Sequence, residues 1–279
     1  MKIGFIGQGY VGKNTANDFE ARGYDVVRYS LEPEYVGNKE VIRECDIVFV
    51  AVPTPTTPKG FDYSIVTDAL LLVKDGARVV LKSTLLPGTT EELQRRYPNL
   101  LVLFSPEFLC ESTAAHDAAN PIFNIIGVPT NTAIHQDAAN EVMSILPKAR
   151  STFQTTATAA ELFKYAHNLQ GYMRVILSNL LYDTAATLGT EWEDVRRMMD
   201  ADPMMSPYYN SPLHKSGRGA GGHCFIKDMA AFRNLYEELL SGDEKGIAVL
   251  KTLEAKNIEL LKLTNKDIDL LDGVYGKGH

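Results

Sequence analysis

With 279 residues, 45% of them hydrophobic, the chain is long enough for two packed units with an ordinary globular core. Its 28 basic and 35 acidic residues give a net charge of -7, and the basic ones are scattered rather than gathered in a stripe, which argues against nucleic acid as a partner. Apolar runs such as 69–73 and 125–128 fall short of the roughly 18 residues a membrane helix needs, and no export signal follows Met1, so no membrane partner is expected and the expected compartment is the cytoplasm.

In chain order, strands are predicted at residues 2–6, 24–29, 46–52, 78–82, 100–104 and 123–127, separated by helical or turn-rich stretches. Short apolar strands alternating with crossovers predict an α/β unit over residues 1–150, a doubly wound parallel sheet covered on both faces. From about Thr156 the pattern becomes helical: a long central helix runs to Leu188, and further helices are predicted at 191–199, 228–240 and 245–263. Residues 151–265 therefore read as a helical second unit. The closing 266–279 read as a tail, either disordered or an expression remnant.

Two segments carry chemistry. Gly7-Gln8-Gly9-Tyr10-Val11-Gly12 lies between a buried strand and a helix, which makes the sheet Rossmann-like and the segment a dinucleotide cradle. Gly7 allows the tight turn, Gly9 the approach of a pyrophosphate and Gly12 close packing of helix on strand, with the helix N-terminus facing the phosphate charge. The acidic residue that normally takes the ribose hydroxyls falls at Ser30, and the nearest carboxylate is Glu32. Either Glu32 reaches the ribose, or Ser30 with Arg28 admits a 2′-phosphate. NAD is favoured over NADP, because one arginine is an incomplete phosphate clamp.

The second segment is Gly217-Arg-Gly-Ala-Gly-Gly-His-Cys-Phe-Ile-Lys-Asp228. Its small residues are expected to let a ligand approach the backbone, and Lys227 or a following helix N-terminus would favour the thiolate of Cys224. Cys224 is thus the candidate nucleophile, whereas Cys45, before an apolar strand, reads as structural. The three cysteines lack any CxxC pair, so neither a disulfide framework nor a metal site is expected. Lys164 and Asn168, four apart on the long helix, share a face, a spacing also common on solvated helices. Asp228 is either part of this chemistry or an N-cap of the helix after it.

This segment resembles the GxGxGGxCxxKD signature of the UDP-glucose and GDP-mannose dehydrogenase family. Other stretches resemble that family in order: Gly9-Tyr10-Val11-Gly12; Val52-Pro53-Thr54-Pro55; Lys82-Ser83-Thr84 with Pro87-Gly88-Thr89; Ser105-Pro106-Glu107-Phe108-Leu109 with Glu111; and Ala160 to Asn168. The resemblance implies NAD-dependent oxidation of the C6 alcohol of a nucleotide sugar to the uronic acid, as in polysaccharide biosynthesis, through a thiohemiacetal and a thioester on Cys224. It assigns Lys164 and Asn168 to stabilising the oxyanion at C6, Asp228 to water positioning with Lys164, Glu107 to general base, and Thr84 and Glu111 to the nicotinamide end. Val52, Pro53 and Lys227 would line the cofactor cleft, and Phe108, Leu109 and Gly221 the sugar. It also implies a homodimer through the apolar face Met173, Ile176, Leu177, Leu180 and Leu181. The pattern is broken at His223, Ile226 and Cys110, the last read as a packing substitution, and by the lack of the family's third, nucleotide-gripping domain after Leu263. The competing readings are a two-electron 3-hydroxyacid dehydrogenase, which has no use for Cys224, and a cofactor-binding or assembly module with little activity.

Overall fold

The structure, a computed structural model, describes residues 1–278. In chain order the first part forms β1 (Lys2–Ile6), α1 (Tyr10–Ala21), β2 (Asp25–Tyr29), β3 (Ile47–Val50), a small hairpin of β4 (Thr56–Thr57) and β5 (Gly60–Phe61), α2 (Ser64–Leu70), β6 (Arg78–Leu81), α3 (Thr89–Arg96), β7 (Leu101–Phe104), α4 (Ala114–Ala119), β8 (Phe123–Val128), α5 (Ala133–Ile145) and β9 (Ser151–Thr156). Helices then dominate: α6 (Ala157–Leu188), α7 (Trp192–Ala201), a hairpin of β10 (Leu213–His214) and β11 (Gly217–Arg218), α8 (Gly222–Leu239), α9 (Glu244–Leu263) and α10 (Ile268–Tyr275).

The chain divides into two compact units, one of Met1–Thr54 with Asp62–Lys164, the other of Pro55–Phe61 with Tyr165–His279. The division therefore falls inside α6 rather than at residue 150, and the β4–β5 hairpin belongs to the second unit. In the first unit the sheet order is β2-β1-β3-β6-β7-β8-β9. The expectation of a parallel sheet needs one amendment: β7 and β8 pair antiparallel, through Phe104 and Gly127. The connecting stretch 105–122 holds only the short α4, so β8 returns beside β7 instead of crossing over.

Strand alternation places Ile3, Phe5, Ile47, Phe49, Val80 and Leu103 in one core with Phe19 of α1 and Val142 of α5. Phe5 stacks on Phe49 at 4.9 Å and meets Phe19 edge-on at 5.4 Å. Each such buried side chain contributes about 1.5–3 kcal/mol. Val48, Val79 and Val102 occupy the alternate positions and are equally buried. A closed core on both faces leaves the C-terminal strand ends as the place where polar side chains gather.

In the second unit α8, α9 and α10 share a small core in which Ile226, Leu261 and Leu271 are buried. Residues 268–275, read from sequence as tail, are thus a packed helix. Among the described residues no helix is long and apolar enough to cross a membrane.

Candidate active site

The dinucleotide cradle fits its ligand. Gly7 has φ +92°, and a Cβ on Gly12 would lie 1.9 Å from the Gly7 carbonyl oxygen, so both positions require glycine. At Gly9 the reverse holds: a Cβ would meet no protein atom within 4 Å, which leaves room for a phosphate against the backbone. Gly9 caps α1 without a side-chain bond, and the first turn of α1 carries no acidic residue. The positive dipole end of α1 therefore meets no carboxylate of its own first turn, a setting that suits an anion. Gln8 is buried, with its amide on the Gly7 carbonyl at 3.1 Å; Val11 is half-buried and Tyr10 exposed.

The choice of cofactor follows from Arg28. Its guanidinium is engaged by both oxygens of Glu20, at 3.0 and 2.7 Å, and by Asn17 at 2.7 Å. An arginine so committed is not a 2′-phosphate clamp. Ser30 accepts the Glu32 amide at 3.2 Å, and the Glu32 side chain is exposed just past β2, where it can reach ribose hydroxyls.

At the C-terminal ends of β3 and β6, Ser83 exchanges two hydrogen bonds with Val52: its hydroxyl accepts from the amide at 3.0 Å and donates to the carbonyl at 2.7 Å. Thr54 donates to the Thr84 carbonyl at 2.7 Å. Val52 and Thr84 are held side by side by these bonds, while Pro53 is exposed. Beyond β7, Lys164 and Glu107 form a buried pair, the ammonium donating to the Glu107 carbonyl at 2.7 Å and to its carboxylate at 3.2 Å. The other carboxylate oxygen accepts from the Leu109 amide at 2.9 Å. Phe108 lies under the Lys164 ammonium, 5.1 Å from ring centre to nitrogen, and packs edge-on against Phe123 and Phe163. Glu111 and Cys110 are exposed, so Cys110 is not the packing substitution expected from sequence.

Sequence reasoning missed Lys82, which ends this same edge of the sheet. Its ammonium donates to the Ser105 carbonyl at 3.2 Å, and burial pushes its pKa down to about 8, Glu107 opposing the shift and Lys164 adding to it. The available signal was its position, a lysine directly after an apolar strand and before Ser83-Thr84. Glu161, also in the recognised helix pattern, caps α3 instead, accepting from the Gly88 and Thr90 amides at 2.6 and 2.8 Å.

In the second unit α8 starts at Gly222, six residues before the helix start read from sequence, because the glycines before Cys224 were taken as loop. Cys224 thereby lies half-buried in the first turn of α8, at the positive end of the helix dipole. Asp228, one turn further on, is 1% exposed and mid-helix, which removes its reading as an N-cap. Its two oxygens accept from Asn168 at 2.6 Å and from Lys227 at 2.6 Å. The Lys227 ammonium is thus committed to Asp228. Beside Gly221 there is no room for a sugar at the Cβ position, since a Cβ would lie 2.0 Å from Asp267 Oδ2. The glycine there serves the protein's own packing.

Comparison with known proteins identifies the family. The family model described as "UDP-glucose/GDP-mannose dehydrogenase family, NAD binding domain" matches residues 36–146, and the "central domain" model of that family matches 158–257, a range that includes Cys224 and Asp228. A UDP-glucose 6-dehydrogenase of Rhizobium meliloti is 29% identical over 276 residues, covering 83% of this chain and 62% of that protein. A solved UDP-glucose dehydrogenase from Pyrobaculum islandicum matches with TM-score 0.80 at 27% identity, over 92% of this chain and 68% of that one. A 3-hydroxyisobutyrate dehydrogenase from Mycobacterium tuberculosis matches with TM-score 0.70 over 100% of this chain and 99% of that one, but at 15% identity the likeness is one of fold alone. The chain spans less than two thirds of the length of the Rhizobium relative. The cofactor is NAD. With two models of one family matching in order along most of its length, the chain belongs to the UDP-glucose/GDP-mannose dehydrogenase family.

Proposed function

We propose that the chain oxidises the C6 alcohol of a nucleotide sugar to the carboxylate, with Cys224 as nucleophile. The observation that carries this reading is the start of α8, where Cys224 lies in the first turn and the buried Asp228 follows four residues later on the same face, bound to Asn168. Bound NAD would accept the hydride in each of two oxidations. In the first, the C6 oxygen loses its proton as C6 loses hydride, and the charge developing on that oxygen falls to Lys164 and Asn168, one by charge and one by amide donation. Asp228, whose other oxygen pairs with Lys227 at 2.6 Å, takes the proton through water.

The Cys224 thiolate then adds to the aldehyde carbon, forming a thiohemiacetal that keeps the aldehyde from escaping. Loss of a second hydride converts it to a thioester. Glu107 removes a proton from water as that water attacks the thioester carbon, and the thiol leaves with the proton restored. Phe108 and Leu109, half-buried beside Glu107, would line the sugar, and Thr84, Glu111 and Lys227 would order the nicotinamide end.

The working form is a homodimer. Met173, Leu177, Leu180 and Leu181 of α6 stay exposed, while Ile176 turns inward and is 1% exposed. A stripe of this kind is the surface a second copy would cover.

The test is NADH production by the purified chain with UDP- and GDP-sugars, comparing wild type with Cys224→Ser. Two NADH per sugar, with kcat falling by about 1,000-fold or more in the variant, is the expected result. One NADH per molecule of a 3-hydroxy acid, unaffected by the substitution, would replace this reading with the two-electron one. NAD binding without turnover of any sugar would make the chain a cofactor-binding module.

A further inference from the structure

The glycine-rich loop before Cys224 is held from behind by side chains that follow it by some forty residues. Asn257 both accepts from the Ala220 amide at 2.7 Å and donates to its carbonyl at 2.9 Å. Thr264 accepts from the Arg218 amide at 2.9 Å. Lys266, 4% exposed, donates to the Gly219 carbonyl at 2.9 Å and the Gly217 carbonyl at 3.4 Å. Asp267 accepts from the Gly222 amide, the first N–H of α8, at 2.7 Å. The backbone groups of the loop are satisfied largely by side chains of one downstream segment rather than by secondary structure.

Asp267 shows how far the fold is committed to this contact. It sits at the N-cap of α10, where an aspartate would normally bond its own helix, yet it makes no such bond. Its backbone is left-handed, with φ 53°, a conformation that side-chain-bearing residues seldom adopt. Both features aim the carboxylate at α8. The loop glycines match: a Cβ on Gly217 would lie 2.2 Å from Thr264 Oγ1, and one on Gly221 2.0 Å from Asp267 Oδ2.

We propose that the segment from Thr264 to Asp267 is a latch that positions the nucleophile, with Asp267 as its key residue: by holding the first N–H of α8 it fixes the turn that carries Cys224. Asp267 touches no reacting atom and acts through the backbone of Gly222. The segment straddles residue 265, where the sequence reading ended the helical unit and began the tail. The proposal rests on Cys224 being the nucleophile, and its test separates the two ideas.

The experiment compares Asp267→Ala with Asp267→Asn in the full chain, since both remove the charge and only Asn keeps an oxygen for the Gly222 amide. The rate of iodoacetamide alkylation at Cys224 is read by peptide mapping, with exposed Cys110 as internal reference. Alkylation of Cys224 is expected to be about fivefold or more slower in Asp267→Ala than in Asp267→Asn across the pH profile, with Cys110 unchanged. In turnover, Asp267→Ala is expected to lower kcat about tenfold or more while leaving KM for the sugar within about twofold, and Asp267→Asn to restore most of the loss. Equal Cys224 alkylation in the two variants overturns the latch, and so does a wild-type kcat in Asp267→Ala. Activity that survives Cys224→Ser would instead overturn the nucleophile, and the alkylation comparison would still judge the latch. If Asp267→Ala does not fold, hydrogen exchange on wild type decides: the Gly222 and Ala220 amides should be protected like the middle of α8, and exchange at open-loop rates overturns the proposal.

Discussion

Two glycine-rich segments open helices in this chain, and they use glycine for opposite purposes. In the segment 7–12 a Cβ at Gly9 would meet no protein atom within 4 Å and the helix behind it has no side-chain cap, so the space suits a phosphate. In the segment 217–222 the equivalent space at Gly217 and Gly221 is filled by Thr264 and Asp267, and the helix behind it is capped from a distance. One segment is a socket for a ligand. The other is filled by the protein itself, at the turn that carries Cys224. Similar local sequences thus differ in what completes them.

The comparison is most easily broken by adding one methyl group to each segment. Gly221→Ala is expected to destabilise the chain by about 2–4 kcal/mol, from overpacking against Asp267 and loss of its bond to Gly222, measured by urea unfolding. If stability is unchanged, the loop is not clamped. Gly9→Ala should leave stability within about 0.5 kcal/mol, because the new methyl touches no protein atom, but should weaken NAD binding about tenfold by calorimetric titration. Unaltered NAD affinity would show that the cradle does not hold the pyrophosphate.

A smaller effect distinguishes the lysines of the two regions. Lys82, near the first unit's strand ends, and Lys266, in the latch, both have their pKa lowered chiefly by burial. Below about pH 8 Lys82 carries its proton folded or unfolded and adds no slope. Between there and the ordinary lysine value of 10.5 the unfolded chain binds a proton that the folded one lacks, so stability rises with pH, by at most about 1.4 kcal/mol per pH unit. Cys45 works in the other direction, its thiol pushed up to about 11 by burial, so the difference between wild type and variant is the quantity to measure. Lys82→Met should remove its share of the slope and leave Cys224 alkylation unchanged, whereas Lys266→Met should alter both. A Lys82 variant with the wild-type slope would show that this amine is not desolvated.

Much of this was legible in the residues, and the failures have physical causes. Strands such as Ile47–Val50 announce themselves because burial on both faces demands a continuous apolar run. Strand Ser151–Thr156 does not, because it is an exposed edge strand whose residues Ser-Thr-Phe-Gln-Thr-Thr have no face to bury. The start of α8 was set too late because glycine weighs against a helix locally, while distant side chains supply the caps. Asp228 was left between a cap and an acid; its burial and its bond to Asn168, 60 positions away, remove the first option.

By itself the sequence determined the α/β class, the glycine cradle and its order relative to Cys224, Lys164 and Asp228, because those depend on local periodicity and on residue types at fixed spacing. Only the tertiary structure decided which glycines pack against the protein and which leave open space, that Lys82 joins the Glu107 and Lys164 cluster, and that residues 264–267 bond the loop and the start of the helix that carries Cys224. Those outcomes are set by which side chains arrive from elsewhere in the chain to satisfy buried backbone groups, and no local pattern records an arrival from forty residues away.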